Sequence, residues 1–213
     1  MRKTMIMISI SIAAMLLNFV ISYISALLKL PIFMDTILTV SVTLMYGPLW
    51  GAVTGALTNL TGHTLKFWGW EGYIFALCNI ATALITYFFM RLFPRDLNPR
   101  YDHAALPQSR RYASLLERIV VLMLLSFALC VGMSILGGLI ASIIRSINIT
   151  YTGEPGLSPN ANFRMFPQSF PVIFEEILVR IPMNIIDRLI AAFCGYGIAR
   201  ILCKSFFKNK TTE

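Results

Sequence analysis

The stretch LPIFMDTILTVSVTLMYGPLWGAVTGALTNLTGHTL, residues 30–65, holds two short apolar segments on either side of Gly47-Pro48, and the way it crosses a membrane decides the fold. From Gly47 onward a small or polar residue returns at every fourth position: Gly47, Gly51, Gly55, Asn59 and His63. On a helix this spacing makes one slowly turning face, bare of side-chain bulk until it turns polar at Asn59 and His63. Glycines on one face let helices approach closely in lipid, where association rests on packing. The ladder is therefore predicted to be a packing seam that ends in two hydrogen-bonding groups.

Residues 36–46 number only 11. That is about 16 Å of helix against a hydrocarbon core of about 30 Å, so the segment cannot cross upright alone. Either it continues through Gly47-Pro48 as one kinked span, or 36–46, lengthened back toward Ile32, forms a hairpin of short helices with 48–64. Charge decides. Arg91, Arg95, Arg100, Arg110, Arg111 and Arg118 flank or fill the segment 94–115, while Arg2-Lys3 and Arg200, Lys204, Lys208 and Lys210 mark the termini. The positive-inside rule puts all three clusters on one side, so an even number of crossings must separate the N-terminus from the arginines. Only the hairpin gives four.

Composition agrees. Of the 213 residues 57% are hydrophobic and 13% charged, and several apolar runs are long enough to span a bilayer. The runs lack the alternation of a barrel, and backbone groups in lipid must be satisfied internally, so the fold class is an all-α integral membrane protein. The net charge of +8 would suggest nucleic acid in a soluble protein, but here the basic residues sit at segment ends and no nucleic-acid partner is expected. Cys78, Cys130, Cys194 and Cys203 lie singly in apolar helices, without the spacing of a zinc site or a disulfide framework. No metal and no cofactor is expected. The first apolar run is too long for a signal-peptide core and lacks an A-x-A site, so it is predicted to stay as a membrane helix.

A single six-helix membrane domain over 1–213 follows, with spans near 5–28, 32–46, 48–64, 73–90, 116–144 and 171–202 and both termini cytoplasmic. The segment 94–115 is expected to be a cytoplasmic loop, and 148–170, rich in Gly and Pro, an extracellular loop long enough to act as a lid. The triplet Asn148-Ile149-Thr150 is a weak glycosylation sequon. In the first helix Ser9, Ala13 and Ala14 put small residues at helix-contact spacing, compatible with packing in the bundle or with docking another membrane protein. The aromatic loop with Trp68, Trp70 and Glu71 is compatible with an interfacial belt or with the cap of a ligand pocket.

The topology sends polar groups of several helices to the same depth. Asp35 opens the second helix at the outer surface, Asn59 and His63 end the third, and Asn79 lies in the outer third of the fourth. On the last helix Glu176, Arg180, Asn184 and Asp187 fall on one narrow face at a depth where a charge costs on the order of 3 kcal/mol, so they must face protein or water. The set Asp35, Asn59, His63, Trp68, Trp70, Glu71, Asn79, Glu176, Arg180 and Asn184 is predicted to bind a small molecule reached from outside. The alternative is an internal network, such as Arg180 paired with Glu176, that only ties helices together.

The run LPIFMDT at 30–36, followed by YGPLWGAVTGALTNL at 46–60, resembles the substrate-binding S components of energy-coupling-factor (ECF) vitamin transporters. IPMNIID at 181–187 is similar to their last helix, and the resemblance covers nearly the whole chain. It implies a multi-pass protein of a bacterial plasma membrane that is not an enzyme. Such a protein captures a vitamin or related micronutrient near the outer face. It delivers that micronutrient by associating with a transmembrane coupling subunit and two cytoplasmic ATPases. In the family the first helix carries A-x-x-x-A for that docking, and the matching positions here are Ser9 and Ala13. No G-x-x-x-x-G-K-[ST] is present, so energy would come from partners.

Two other classes share features with this sequence. Glu175-Glu176-Ile177-Leu178-Val179-Arg180 matches the E-E-x-x-x-R that opens the motif set of intramembrane CAAX-type proteases, but His63 and His103 both lie upstream and none follows Arg180. A purely sensory or structural membrane domain is the other, and no appended signalling domain supports it.

Overall fold

The structure, a computed structural model, describes residues 2–65, 71–101, 107–152 and 171–208. Six helices occupy these residues: α1 (Arg2–Leu27), α2 (Ile37–Tyr46), α3 (Pro48–Thr64), α4 (Glu71–Leu92), α5 (Gln108–Thr152) and α6 (Val172–Lys208), and no strand is present among them. Within α1, α4 and α5 the segments Thr4–Leu27, Tyr73–Leu92 and Arg110–Ile147 are long and apolar enough to cross a membrane. Their outer faces expose Leu17, Leu84, Phe88 and Phe127, as a membrane-embedded bundle requires. α6, at 37 residues, is longer than α1 and α4, but Glu175, Glu176, Arg180, Asp187 and Arg188 break up its apolar run.

The shortest helix is the central one. α2 touches α1, α3, α4 and α6, and every residue from Ile37 to Met45 is buried. A helix enclosed on all sides has no polar face to spare, so its hydroxyls turn inward: Thr43 Oγ1 donates to Thr39 O at 2.7 Å and Ser41 Oγ to Gly195 O at 2.6 Å. Around it α1, α3, α4, α5 and α6 follow one another, with α1 touching, among the described residues, only α2 and α3.

α2 and α3 form the expected hairpin rather than a kinked span. Gly47, at φ +94°, ends α2 in a conformation that favours glycine, and Pro48 opens α3 at the position where its missing N–H costs nothing. The two helices then run antiparallel: a Cβ on Gly51 would overlap the Thr43 side chain, and one on Gly55 would meet Thr39 Cγ2 at 3.1 Å and Asn79 Cβ at 2.9 Å. The glycine ladder is thus the packing seam between α3 and its neighbours.

The helix boundaries differ from the sequence reading in several places, among them the end of α6, which runs to Lys208 rather than 202. The first arm of the hairpin does not extend back to Ile32; it starts at Ile37, and residues 28–36 form an irregular strap with Lys29 and Met34 both at φ 53°. The strap is fixed from outside, because the Met34 N–H donates to Asp187 Oδ1 at 2.7 Å and Ser25 Oγ donates to Ile32 O at 2.6 Å. The segment 94–115 is not wholly a loop: α5 begins at Gln108, and its exposed first turns precede the apolar run. At the other end α5 continues to Thr152, into the span expected as the loop 148–170, whose residues 153–170 lie outside the described residues.

Hydrogen bonds fix the relative direction of the helices. Met34 pairs with Asp187 and Ser41 with Gly195, so α2 and α6 run parallel. Arg145 reaches Glu175, and Asn184 reaches Ser134, so α5 and α6 run antiparallel. One end of the bundle therefore gathers Tyr46 with Ile10 and Trp50, and Met45 with Phe93, Leu97 and Cys203. Arg91, Arg95, Arg100, Arg200 and Lys204 belong to the same end, which we call the basic end.

Candidate functional site

The other half of the bundle contains a buried polar layer to which α1, α2, α3, α4 and α6 all contribute. On α6, Asp187 and Arg188 are only 1% and 4% exposed. A charged pair at that burial is tolerated in a membrane protein only when each charge finds partners. Arg188 Nη2 lies 2.9 Å from Asp187 Oδ2, while its Nη1 donates to Thr36 Oγ1 at 2.7 Å and to Thr82 Oγ1 at 3.4 Å. Thr82 can accept because its own hydroxyl proton goes to Cys78 O at 3.0 Å. One guanidinium thereby ties the start of α2 to α4.

Beside it, Asn79 on α4 donates to Asp35 Oδ2 at 2.9 Å and to Gly55 O at 3.2 Å. That second bond exists because Gly55 has no side chain to hold α4 away. From α1, Asn18 caps α2 from outside: its Oδ1 accepts the Leu38 N–H at 2.9 Å and its Nδ2 donates to Thr39 Oγ1 at 3.2 Å. Thr36 itself, at the N-cap position, makes no side-chain cap. Asn18 thus supplies in trans what the local sequence lacks.

The layer is not closed on itself. Asp35 Oδ1, Asn59 Nδ2 and Arg188 Nε are buried and have no hydrogen-bond partner among the described residues. In water-free surroundings each unmet donor or acceptor costs roughly 1–3 kcal/mol. Asp187 Oδ2, within ion-pair distance of Arg188, also makes no hydrogen bond, so two acceptors and two donors of this half of the bundle are left over among the described residues.

Glu176, Arg180 and Asn184 lie deeper in the α5–α6 contact and are mostly spent on each other. Arg180 Nη1 donates to Glu176 Oε2 at 2.6 Å and to Glu176 O at 2.8 Å. Arg145 Nη1 stands 3.5 Å from Glu176 Oε1 and 3.4 Å from Glu175 Oε2. Asn184 Nδ2 donates to Ser134 Oγ at 2.9 Å. Glycines again allow the approach: Gly137 faces the Arg180 stem, with a notional Cβ 3.5 Å from Cδ, and Gly138 rests on the Ile177 backbone. This is the clamp geometry of the two alternatives open for Arg180.

Of the predicted site residues, then, the structure joins Asp35 to Asn79 and leaves Asn59 buried one turn beyond Gly55, while Glu176, Arg180 and Asn184 form a neighbouring network. Trp68 and Trp70 lie outside the described residues, as do the side chains of His63 and Glu71. The docking set divides: Ser9 and Ala13 are exposed on α1, whereas Ala14 is buried against Leu38 and Val42. Asn18, Thr36, Thr82, Arg145 and Arg188 were missed as site residues. Asn18 had a usable signal, being the one amide in the apolar run of α1. Comparisons of the chain with family models, curated proteins and solved structures found no match.

Proposed function

We propose that this chain is the substrate-binding S component of an ECF-type transporter in a bacterial plasma membrane, crossing it six times with both termini in the cytoplasm. It captures a vitamin-like micronutrient from outside in the polar layer, and a transmembrane coupling subunit with two cytoplasmic ATPases drives its release inward. The observation that carries this reading is the unspent hydrogen-bonding capacity of Asp35, Asn59 and Arg188 inside a bundle whose other buried charges are paired. A network that served only to hold helices would gain nothing by leaving such donors and acceptors unmet. The exposed pair Ser9 and Ala13, on a helix that among the described residues touches α2 and α3 alone, supports docking through α1. The protease alternative fares worse on the same geometry, since Glu176 is engaged by two guanidiniums and no histidine follows Arg180 in the sequence.

Native mass spectrometry of the chain purified in mild detergent tests this. Wild type is expected to carry a small polar molecule, and Asp35→Asn and Asn59→Leu to lose it while still unfolding cooperatively. No adduct in the wild type, or the same adduct in both variants, contradicts the reading.

A further inference from the structure

We infer that the basic end carries a binding site for the headgroup of an anionic phospholipid, separate from the polar layer and independent of the proposed uptake function. A cavity of about 510 Å³ opens there between the end of α2, the turn at Gly47, the end of α4 and the residues that follow it. Arg91, Asn98 and Arg100 supply its polar groups, Leu44, Met45 and Met90 its apolar ones, and none of its lining residues among the described residues is acidic. Its volume falls within the range of about 300–1,000 Å³ usual for small-ligand sites.

Depth selects the occupant. The apolar span Tyr73–Leu92 ends at this cavity, so Arg91 and Arg100 stand where the hydrocarbon gives way to phosphate groups. Two guanidiniums suit a phosphodiester, which accepts the paired N–H groups of an arginine fork. Arg100 is held in place beforehand: its Nη2 donates to Met45 O at 3.1 Å, at the C-terminal end of α2. Gly47, also in the lining, directly precedes the positive N-terminal end of α3, which adds to the attraction for an anion. Leu44 and Met45 are buried and Met90 half-buried, which offers the glycerol and first acyl carbons an apolar wall. If the arginines served only to orient helices and cap α2, lipids of different charge would bind alike.

The test is native mass spectrometry of the full chain titrated with phosphatidylglycerol and with phosphatidylcholine of the same acyl chains, on wild type, Arg91→Gln and Arg110→Gln. Arg110 is exposed and does not line the cavity, so it controls for charge alone. Expected are preferential binding of phosphatidylglycerol, a loss of about fivefold in Arg91→Gln, the size of one charge against an anionic surface, and none in Arg110→Gln. Thermal unfolding without lipid checks that the variants fold, and Arg91→Lys should keep part of the affinity. Equal binding of the two lipids, or equal loss in both Gln variants, overturns the site. Competition by glycerol phosphate as strong as by the lipid would make it a site for soluble phosphates and overturn the lipid assignment.

Discussion

Arg180 and Arg188 are both buried cations of α6, yet they differ in what they leave over. Arg180 is closed on Glu176, so Arg180→Ala removes the shortest ion pair of a carboxylate that keeps the longer contact to Arg145. Breaking a buried pair from one side costs about 3–5 kcal/mol, and the remaining arginine places this case near about 3 kcal/mol. Thermal unfolding of the ligand-free protein should show that loss, and Glu176→Gln combined with Arg180→Met should recover most of it. Failure of the double variant to recover would mean that Arg180 holds something other than Glu176. Much of this chemistry was legible in the sequence, because charges inside an apolar helix stand out. The periodicity placed Glu176, Arg180 and Asn184 on one face, and the clamp was one of two alternatives. The partners Thr36, Thr82 and Arg145 were not legible, since hydroxyls are common in membrane helices and Arg145 lies near the end of an apolar run.

Among the elements, the α2–α3 hairpin was the most readable, because chain length, Gly47-Pro48 and the glycine ladder all point to it. Its energetic basis can be tested at two glycines with opposite surroundings. Gly51→Ala would drive a methyl into Thr43, whereas nothing lies within 4 Å of a Cβ on Gly197. Overpacking costs typically about 1–3 kcal/mol, and replacing an unhindered helical glycine by alanine gains about 0.5–1 kcal/mol. Melting temperatures should therefore fall for Gly51→Ala and hold or rise for Gly197→Ala; equal shifts would remove the seam from the account. The strap 28–36 was read as helix in part because its conformation is imposed by Asp187, more than 150 positions away. Local propensity carries no trace of such a bond. The start of α5 was missed for the opposite reason: its charged residues resemble a loop when hydropathy is the only guide, yet Arg, Leu, Glu and Ala there are good helix formers.

At the scale of the whole molecule, the bundle separates two chemistries. One half holds a polar layer with donors and acceptors that make no hydrogen bond among the described residues, the other a basic end with its cavity, and α2, buried from Ile37 to Met45, runs between them. Under the proposed function the polar layer would hold the substrate and, with no G-x-x-x-x-G-K-[ST] in the sequence, partners would supply the energy for transport. The most direct measurement is uptake of the co-purifying compound into proteoliposomes holding this chain alone, or together with a coupling subunit and two ATPases. The account predicts binding in both preparations and ATP-dependent uptake only in the second, abolished by Ala13→Leu on the exposed face of α1 with binding retained. Uptake by the chain alone would contradict it.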